Sequence, residues 1–169
     1  MIFKLGKNNK EEGITLIEIM VSLVFLSAGL IPLFGVIISS INLSTRIKNN
    51  LMASNLAQEG IEVVRAIRDK AWMDNAPYDR DLTSGDHLVS WDSDTLSFYD
   101  PSTYMRLDPN TKIYSLTIGT DTIFKRRINI TKIVSPCNCE IRVISDVTWV
   151  DKGKNLAVTV ESHLFDWKQ

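Results

Sequence analysis

The chain is predicted to be α+β, with a long N-terminal α-helix packed on a C-terminal antiparallel β-sheet of about four strands. The first half of the helix is membrane-spanning and the second half amphipathic. Three observations predict this. Positions 14–43 are apolar on all sides apart from Glu18. The stretch that follows, to about position 74, carries one apolar and one polar face at helical spacing. The last third alternates apolar and polar residues with the period of two expected of strands.

Positions 1–13 form a polar leader containing Lys4, Lys7 and Lys10, for which no regular structure is expected. At 1.5 Å per residue, the helix predicted over 14–43 is roughly 45 Å long, against roughly 30 Å for the hydrocarbon core of a bilayer. It can cross a membrane and extend beyond it. A secretory signal peptide would have a shorter apolar region, about 7–15 residues, with a small-x-small site after it. Here the small residue suited to cleavage, Gly13, precedes the run. A cut there leaves the anchor on the mature chain. The basic leader is expected on the cytoplasmic side and the C-terminal domain outside, by the positive-inside rule. Glu11 and Glu12 before the span, and Arg46 and Lys48 after it, temper that orientation. Gly29, Pro32 and Gly35 interrupt the apolar run, and a kink or local unwinding is expected at Pro32. Ser27, Ser39 and Ser40 are available to satisfy the backbone groups freed there.

From Asn42 to about Met73 the helix continues. Leu56, Gly60, Val63, Val64, Ile67 and Ala71 fall on one face, and Gln58, Glu62, Arg65 and Asp69 on the other. Gly60, on the apolar face, would let another element approach closely. Asp74 to about Asn110 is rich in Asp, Ser, Thr and Pro, and Pro77, Pro101 and Pro109 exclude a continuous helix. It reads as a long loop with one or two short strands, near His87–Trp91 and Leu96–Tyr99. Strands are expected over Lys112–Ile118, Thr122–Ile133, Glu140–Val150 and Leu156–Trp167, the last two joined by a turn at Asp151–Asn155. In domain terms, 1–13 is the leader, 14–43 the transmembrane half of the helix, 44–74 its amphipathic half, 75–111 the variable loop and 112–169 the sheet.

The formal net charge of −1 supplies no bulk electrostatic basis for nucleic-acid binding. Lys125-Arg126-Arg127, with Lys132 after it, is a short basic run that reads as a solvated strand face. Without interleaved aromatics it is a weak nucleic-acid signal, and it alone keeps that partner open. Cys137 and Cys139 flank one residue, so a local disulfide and free or intermolecular thiols both remain open. The histidines, His87 beside Asp86 and His163 near Glu161, complete no zinc pattern, and no metal site is expected. No nucleophile motif or phosphate loop appears, so the chain is expected not to be an enzyme and to use no cofactor.

The stretch Gly13-Ile14-Thr15-Leu16-Ile17-Glu18, followed by the apolar helix, resembles the prepilin signal of type IV pilins and type II secretion pseudopilins. The family pattern places Phe after the glycine more often than Ile, and Ile14 leans toward a minor member. Ala53-Ser54-Asn55-Leu56-Ala57-Gln58-Glu59-Gly60-Ile61-Glu62, with Arg65 and Arg68 beyond, is similar to the second half of the helix in PilV-type minor pilins. The strands with Trp149 before the turn and Asp166-Trp167 at the end are similar to the same group. The resemblance covers the helix and the sheet and hardly touches Asp74–Asn110.

The resemblance implies a pilin-like fold and a non-enzymatic subunit of a type IV pilus, acting in assembly, at the tip or in surface contact. It implies cleavage by a prepilin peptidase between Gly13 and Ile14 and methylation of the new Ile14 amine. Glu18 would guide assembly by pairing with the N-terminus of a neighbouring subunit. The implied partners are the peptidase, other pilin subunits met through the N-terminal helix, the inner-membrane assembly platform, and membrane lipid before assembly. The implied location is the bacterial cytoplasmic membrane, with the C-terminal domain outside, and then a filament at the cell surface. The alternatives are a pseudopilin of a secretion or competence system, and an uncleaved anchored binding domain. Elementary electrostatics favours the pairing. A carboxylate near the start of a membrane helix is costly, and an opposite charge at low dielectric attracts it far more strongly than in water.

Overall fold

The computed structural model describes residues 15–134 and 139–166. Two compact units are present, Met1–Thr45 and Arg46–Gln169. One helix, α1 (Leu16–Met73), runs through both.

In the first unit the apolar side chains of α1 are exposed: Leu16 at 77%, Phe25 at 74% and Phe34 at 62%. The helix passes Pro32 without interruption, so the unwinding anticipated there does not occur. Pro32 removes the donor that would reach the carbonyl of residue 28. Ser27 does not replace it, because its hydroxyl donates to the Val24 carbonyl at 3.0 Å.

In the second unit the helix is amphipathic as its spacing requires. Leu56, Gly60, Val63, Val64, Ile67 and Ala71 are all buried, and Ala53, Ala57, Ile61, Arg68 and Trp72 widen that stripe. Its C-terminus is closed by a left-handed residue, Asn75 (φ 54°). Ala76 N–H donates to the Ala71 carbonyl at 2.9 Å and Asn75 N–H to the Trp72 carbonyl at 3.1 Å. This is the Schellman arrangement, and Pro77 follows it.

The helix packs on a five-stranded antiparallel sheet in the order β2-β1-β6-β7-β8. Its strands are β1 (Gly85–Leu88), β2 (Ser97–Phe98), β6 (Lys125–Ile133), β7 (Glu140–Asp151) and β8 (Lys154–Phe165). A smaller sheet, β4-β3-β5, joins β3 (Arg106–Leu107), β4 (Tyr114–Ser115) and β5 (Thr120–Asp121). The main sheet thus exceeds the expected four strands, because two short strands from the long loop extend it. The strand expected over Lys112–Ile118 shrinks to the two residues of β4. Ser115 explains part of this: its hydroxyl exchanges hydrogen bonds with Ile118, donating to the carbonyl at 2.8 Å and accepting the N–H at 2.9 Å. That local turn competes with an extended ladder.

On β7 the odd residues Ile141, Val143, Val147 and Trp149 face inward and are buried. β7 and β8 are joined through Lys152 (φ 49°) and Gly153 (φ 78°). Two positive φ values in a two-residue loop make a type I′ turn, whose twist matches the strands. One core cluster collects Ile61, Val64 and Ile67 with Ile128, Ile130, Ile141 and Val143, and is completed by Tyr78, Leu82 and Val89 from the long loop. The other packs Leu56 and Ala57 against Met105, Phe124, Val147 and Trp149. The loop region is therefore part of the core, which its polar composition had hidden.

Candidate functional site

The head of α1 is built from local chemistry. Thr15 precedes the first helical residue, and its hydroxyl accepts the Glu18 N–H at 3.3 Å while its carbonyl accepts the same group at 3.0 Å. Thr15 therefore caps one of the N–H groups that a helix start leaves without an internal partner. Thr15-Leu16-Ile17-Glu18 has the spacing of a capping box. Only the threonine half is made among the described residues. The Glu18 carboxylate has no hydrogen-bond or ion-pair partner there and lies on an exposed face with Ile19, Ser22, Leu23 and Leu26. Gly13 and Ile14 lie outside the described residues.

Around that carboxylate the helix is long enough and apolar enough to cross a membrane. An acidic group at the N-terminal turn also sits at the positive end of the helix dipole. The site thus consists of a capped helix start and a carboxylate that is unpaired among the described residues, set in a mainly apolar, exposed surface.

The other sequence candidates are separate from it. Cys139 is disulfide-bonded. The chain's second cysteine, Cys137, lies outside the described residues. His87 contacts the Thr83 carbonyl at 2.8 Å through Nε2. His163, on the outer face of β8, lies between Glu140 (Nδ1, 2.5 Å) and Glu161 (Nε2, 3.1 Å). The hydrogen bond that His163 donates to Glu140 raises its pKa above the usual value of 6.5, burial acts against that rise, and the weaker contact with Glu161 adds to it. The two histidines do not meet in one site.

The basic run is the expected solvated strand face at Lys125 and Arg127 but not at Arg126, which is buried. Lys125 donates to the Pro101 carbonyl at 2.8 Å and stands 4.3 Å from the Tyr104 ring centre. Arg127 pairs with Asp146 at 2.7 Å and with Asp86 at 3.6 Å. Arg126 points inward, with its side chain fully buried. Its Nη1 donates to the Leu56 carbonyl at 2.8 Å and to Glu59 at 2.9 Å, and its Nη2 donates to the Val89 carbonyl at 2.6 Å. Burial pulls the Arg126 pKa below its ordinary value, and the Glu59 carboxylate acts in the opposite direction. Each of the three cations is thus engaged within the chain. A signal for Arg126 existed in the sequence: it shares strand parity with Ile128 and Ile130, which also point inward.

Comparison with protein-family models, with characterised proteins and with solved structures gives no match to this chain.

Proposed function

We propose that the protein is a minor pilin, a non-enzymatic subunit of a type IV pilus. In this reading a prepilin peptidase cuts between Gly13 and Ile14 and methylates the new amine. The mature subunit waits in the cytoplasmic membrane with its C-terminal domain outside. It then enters a filament when Glu18 meets the N-terminal amine of a neighbour. The observation that carries the reading is Gly13-Ile14-Thr15-Leu16-Ile17-Glu18 at the head of a helix whose next residues are apolar and exposed. An unpaired carboxylate there would be stabilised by a cationic amine on an adjacent helix, and that single contact would set the axial stagger between subunits. A pseudopilin of a type II secretion or competence system would use the same chemistry.

The Thr15 cap is equally compatible with a second reading, an uncleaved membrane-anchored domain. A helix start of this kind serves any anchor, processed or not. Mass spectrometry of the N-terminal peptide, from membrane and sheared-surface fractions, separates the two. A mature N-terminus at Ile14 carrying one methyl group supports the filament subunit. An intact N-terminus at Met1, in cells with an active prepilin peptidase, overturns it. Gly13→Val should block cleavage and leave an uncut band on a gel, because a peptidase reading that position needs a small side chain. Glu18→Ala should be cleaved yet absent from sheared filaments, and its normal incorporation would remove Glu18 from the mechanism.

A further inference from the structure

The cations of the second unit divide into two groups. Between Arg65 and Arg142 every described cation except Lys112 and Lys125 pairs with a carboxylate. Lys125 is held by the Pro101 carbonyl, and Lys112 sits in a turn beside Asp108. Arg46, Lys48, Lys152 and Lys154 are different. All four are exposed and have no ion pair among the described residues.

Packing brings these four to one end of the unit. Toward its C-terminus α1 packs Ile61, Val64 and Ile67 with Ile141 and Val143. Nearer position 46 it packs Ala53 and Leu56 with Val147 and Trp149. β7 therefore runs opposite to α1, and the turn at Lys152 and Gly153 points toward the start of the unit. From Trp149 to Lys152 the strand adds about 10 Å, at about 3.4 Å per residue. From Ala53 back to Lys48 the helix adds about 7.5 Å, at 1.5 Å per residue. The turn and Lys48 thus stand at about the same height. In the segments 46–56 and 149–158 the one carboxylate is Asp151. Ile47 and Val150 lie among the cations and are 57% and 58% exposed.

Chain connectivity decides what this end meets. Arg46 follows Leu43, the last residue of the apolar stretch, by three positions. Even a fully extended chain separates the two by no more than roughly 11 Å. A bilayer that holds the apolar segment therefore lies beside these cations. We propose that this end of the second unit docks on the anionic phospholipid headgroups of that bilayer. The Lys and Arg N–H groups would donate to headgroup phosphates, and such charge-assisted bonds are the strong ones. Ile47 and Val150 would enter between the headgroups, as apolar residues of interfacial segments do. An acidic protein would match the same charges, but the lipid is always within reach because the chain carries its own anchor. The proposal rests on segment 14–43 being anchored in a membrane, and on neither cleavage nor filament entry.

The test places the full chain in vesicles of phosphatidylcholine alone and of a two-to-one mixture with phosphatidylglycerol. A fluorophore is attached through Asn155→Cys, exposed beside the turn, or through Met73→Cys, 81% exposed at the other end of α1. Cys139 is disulfide-bonded, so the label goes to the added thiol. A nitroxide on the lipid headgroup quenches a label that is docked, and the quenched fraction gives the ratio of docked to free domain. A Lys or Arg at an anionic surface is worth about fivefold in that ratio. At low salt the ratio at N155C should be at least tenfold higher in the mixed vesicles, and M73C should be quenched alike in both. Lys152→Gln with Lys154→Gln should lower it about 25-fold while near-ultraviolet circular dichroism is unchanged. Salt at about 1 M, where the Debye length is about 3 Å, should also remove it. Equal quenching in the two lipids, quenching that survives salt or the double variant in a folded chain, or equal quenching at the two labels each overturn the proposal. The lipid and salt comparisons decide the matter even if the double variant does not fold. A chain that floats with neither vesicle overturns the anchoring, and docking with it. One that floats with both and is quenched equally overturns docking alone.

Discussion

Arg126 and Glu59 form the buried charge pair on which the second unit depends, and their coupling can be predicted. The guanidinium is fully buried and donates to three acceptors, of which only Glu59 carries charge. Its Nε has no partner among the described residues. Glu59→Ala removes the carboxylate and leaves the cation among carbonyl dipoles. Breaking a buried pair from one side costs about 3–5 kcal/mol. The Glu59 side chain is 33% exposed, so its truncation admits water toward Nη1 and places the cost near the lower end, about 3 kcal/mol. Arg126→Met removes the charge together with its desolvation penalty. The Leu56 carbonyl keeps its helical hydrogen bond, and the Val89 carbonyl loses its donor, a cost of about 1–2 kcal/mol. Once Arg126 is gone, Glu59 has nothing to neutralise. The double variant should therefore resemble R126M alone.

These energies translate into melting temperatures. The second unit spans Arg46–Gln169. At about 2.1 cal/mol/K per residue its unfolding entropy is about 0.26 kcal/mol/K, so 1 kcal/mol moves the midpoint by about 4 °C. E59A should melt about 12 °C lower than the parent, R126M about 4–8 °C lower, and the double variant within that same range. The assay is thermal unfolding of the full chain in detergent micelles, followed by tryptophan emission. Trp72 and Trp149 are 8% and 3% exposed and report loss of the core. The reasoning is refuted if E59A is no worse than R126M, or if the two losses add.

Two further perturbations test other parts of the fold. A Cβ at position 60 would lie 2.8 Å from both Ile128 Cδ1 and Ser145 Oγ, and both residues are completely buried. Gly60→Ala gains about 1 kcal/mol of helix propensity and loses about 1–3 kcal/mol to overpacking, a net loss of up to about 2 kcal/mol, so its midpoint should fall by up to about 8 °C; a higher midpoint would mean the helix is free to move off the sheet. His163 gives a pH signature. Its folded pKa is raised above 6.5, so its contribution is fully present below the unfolded value and is lost as pH rises through the folded one. Across pH 5.5–8 the parent should lose midpoint relative to His163→Gln, and parallel curves would show that the Glu140 contact has no thermodynamic weight.

The sequence exposes the helix and the long hairpin because both bury one face against solvent on the other, which forces apolar residues into step with the backbone period. Leu56, Val64 and Ile67 on α1, and Ile141, Val143 and Val147 on β7, are in step and buried. Gly60 is legible for a related reason: a glycine on an apolar face makes sense where another layer comes close. The long loop is less legible. Tyr78, Leu82, Val89 and Met105 enter the core singly from irregular backbone, and no period marks them. β1 and β2 are too short to alternate visibly. Arg126 was misread because its charge outweighed its parity with Ile128 and Ile130. Its carboxylate partner lies 67 residues away on α1, a pairing that only the packed sheet creates.

Glu18 presents the same tension between a local role and a distant one. The capping contact uses the Glu18 N–H and the Thr15 hydroxyl. It does not use the carboxylate. A residue chosen only to start a helix would place its side-chain oxygens on the backbone N–H of the cap, as the reciprocal half of a capping box does. Here that half is absent among the described residues, and the carboxylate is left on an otherwise apolar, exposed helix. The two roles therefore draw on different atoms of one residue and do not exclude each other. Thr15 accounts for where the helix begins. The charge at position 18 is costly in a bilayer, is unpaired among the described residues and lies at the positive end of the helix dipole, and a cation brought by another chain would offset the rest of its cost.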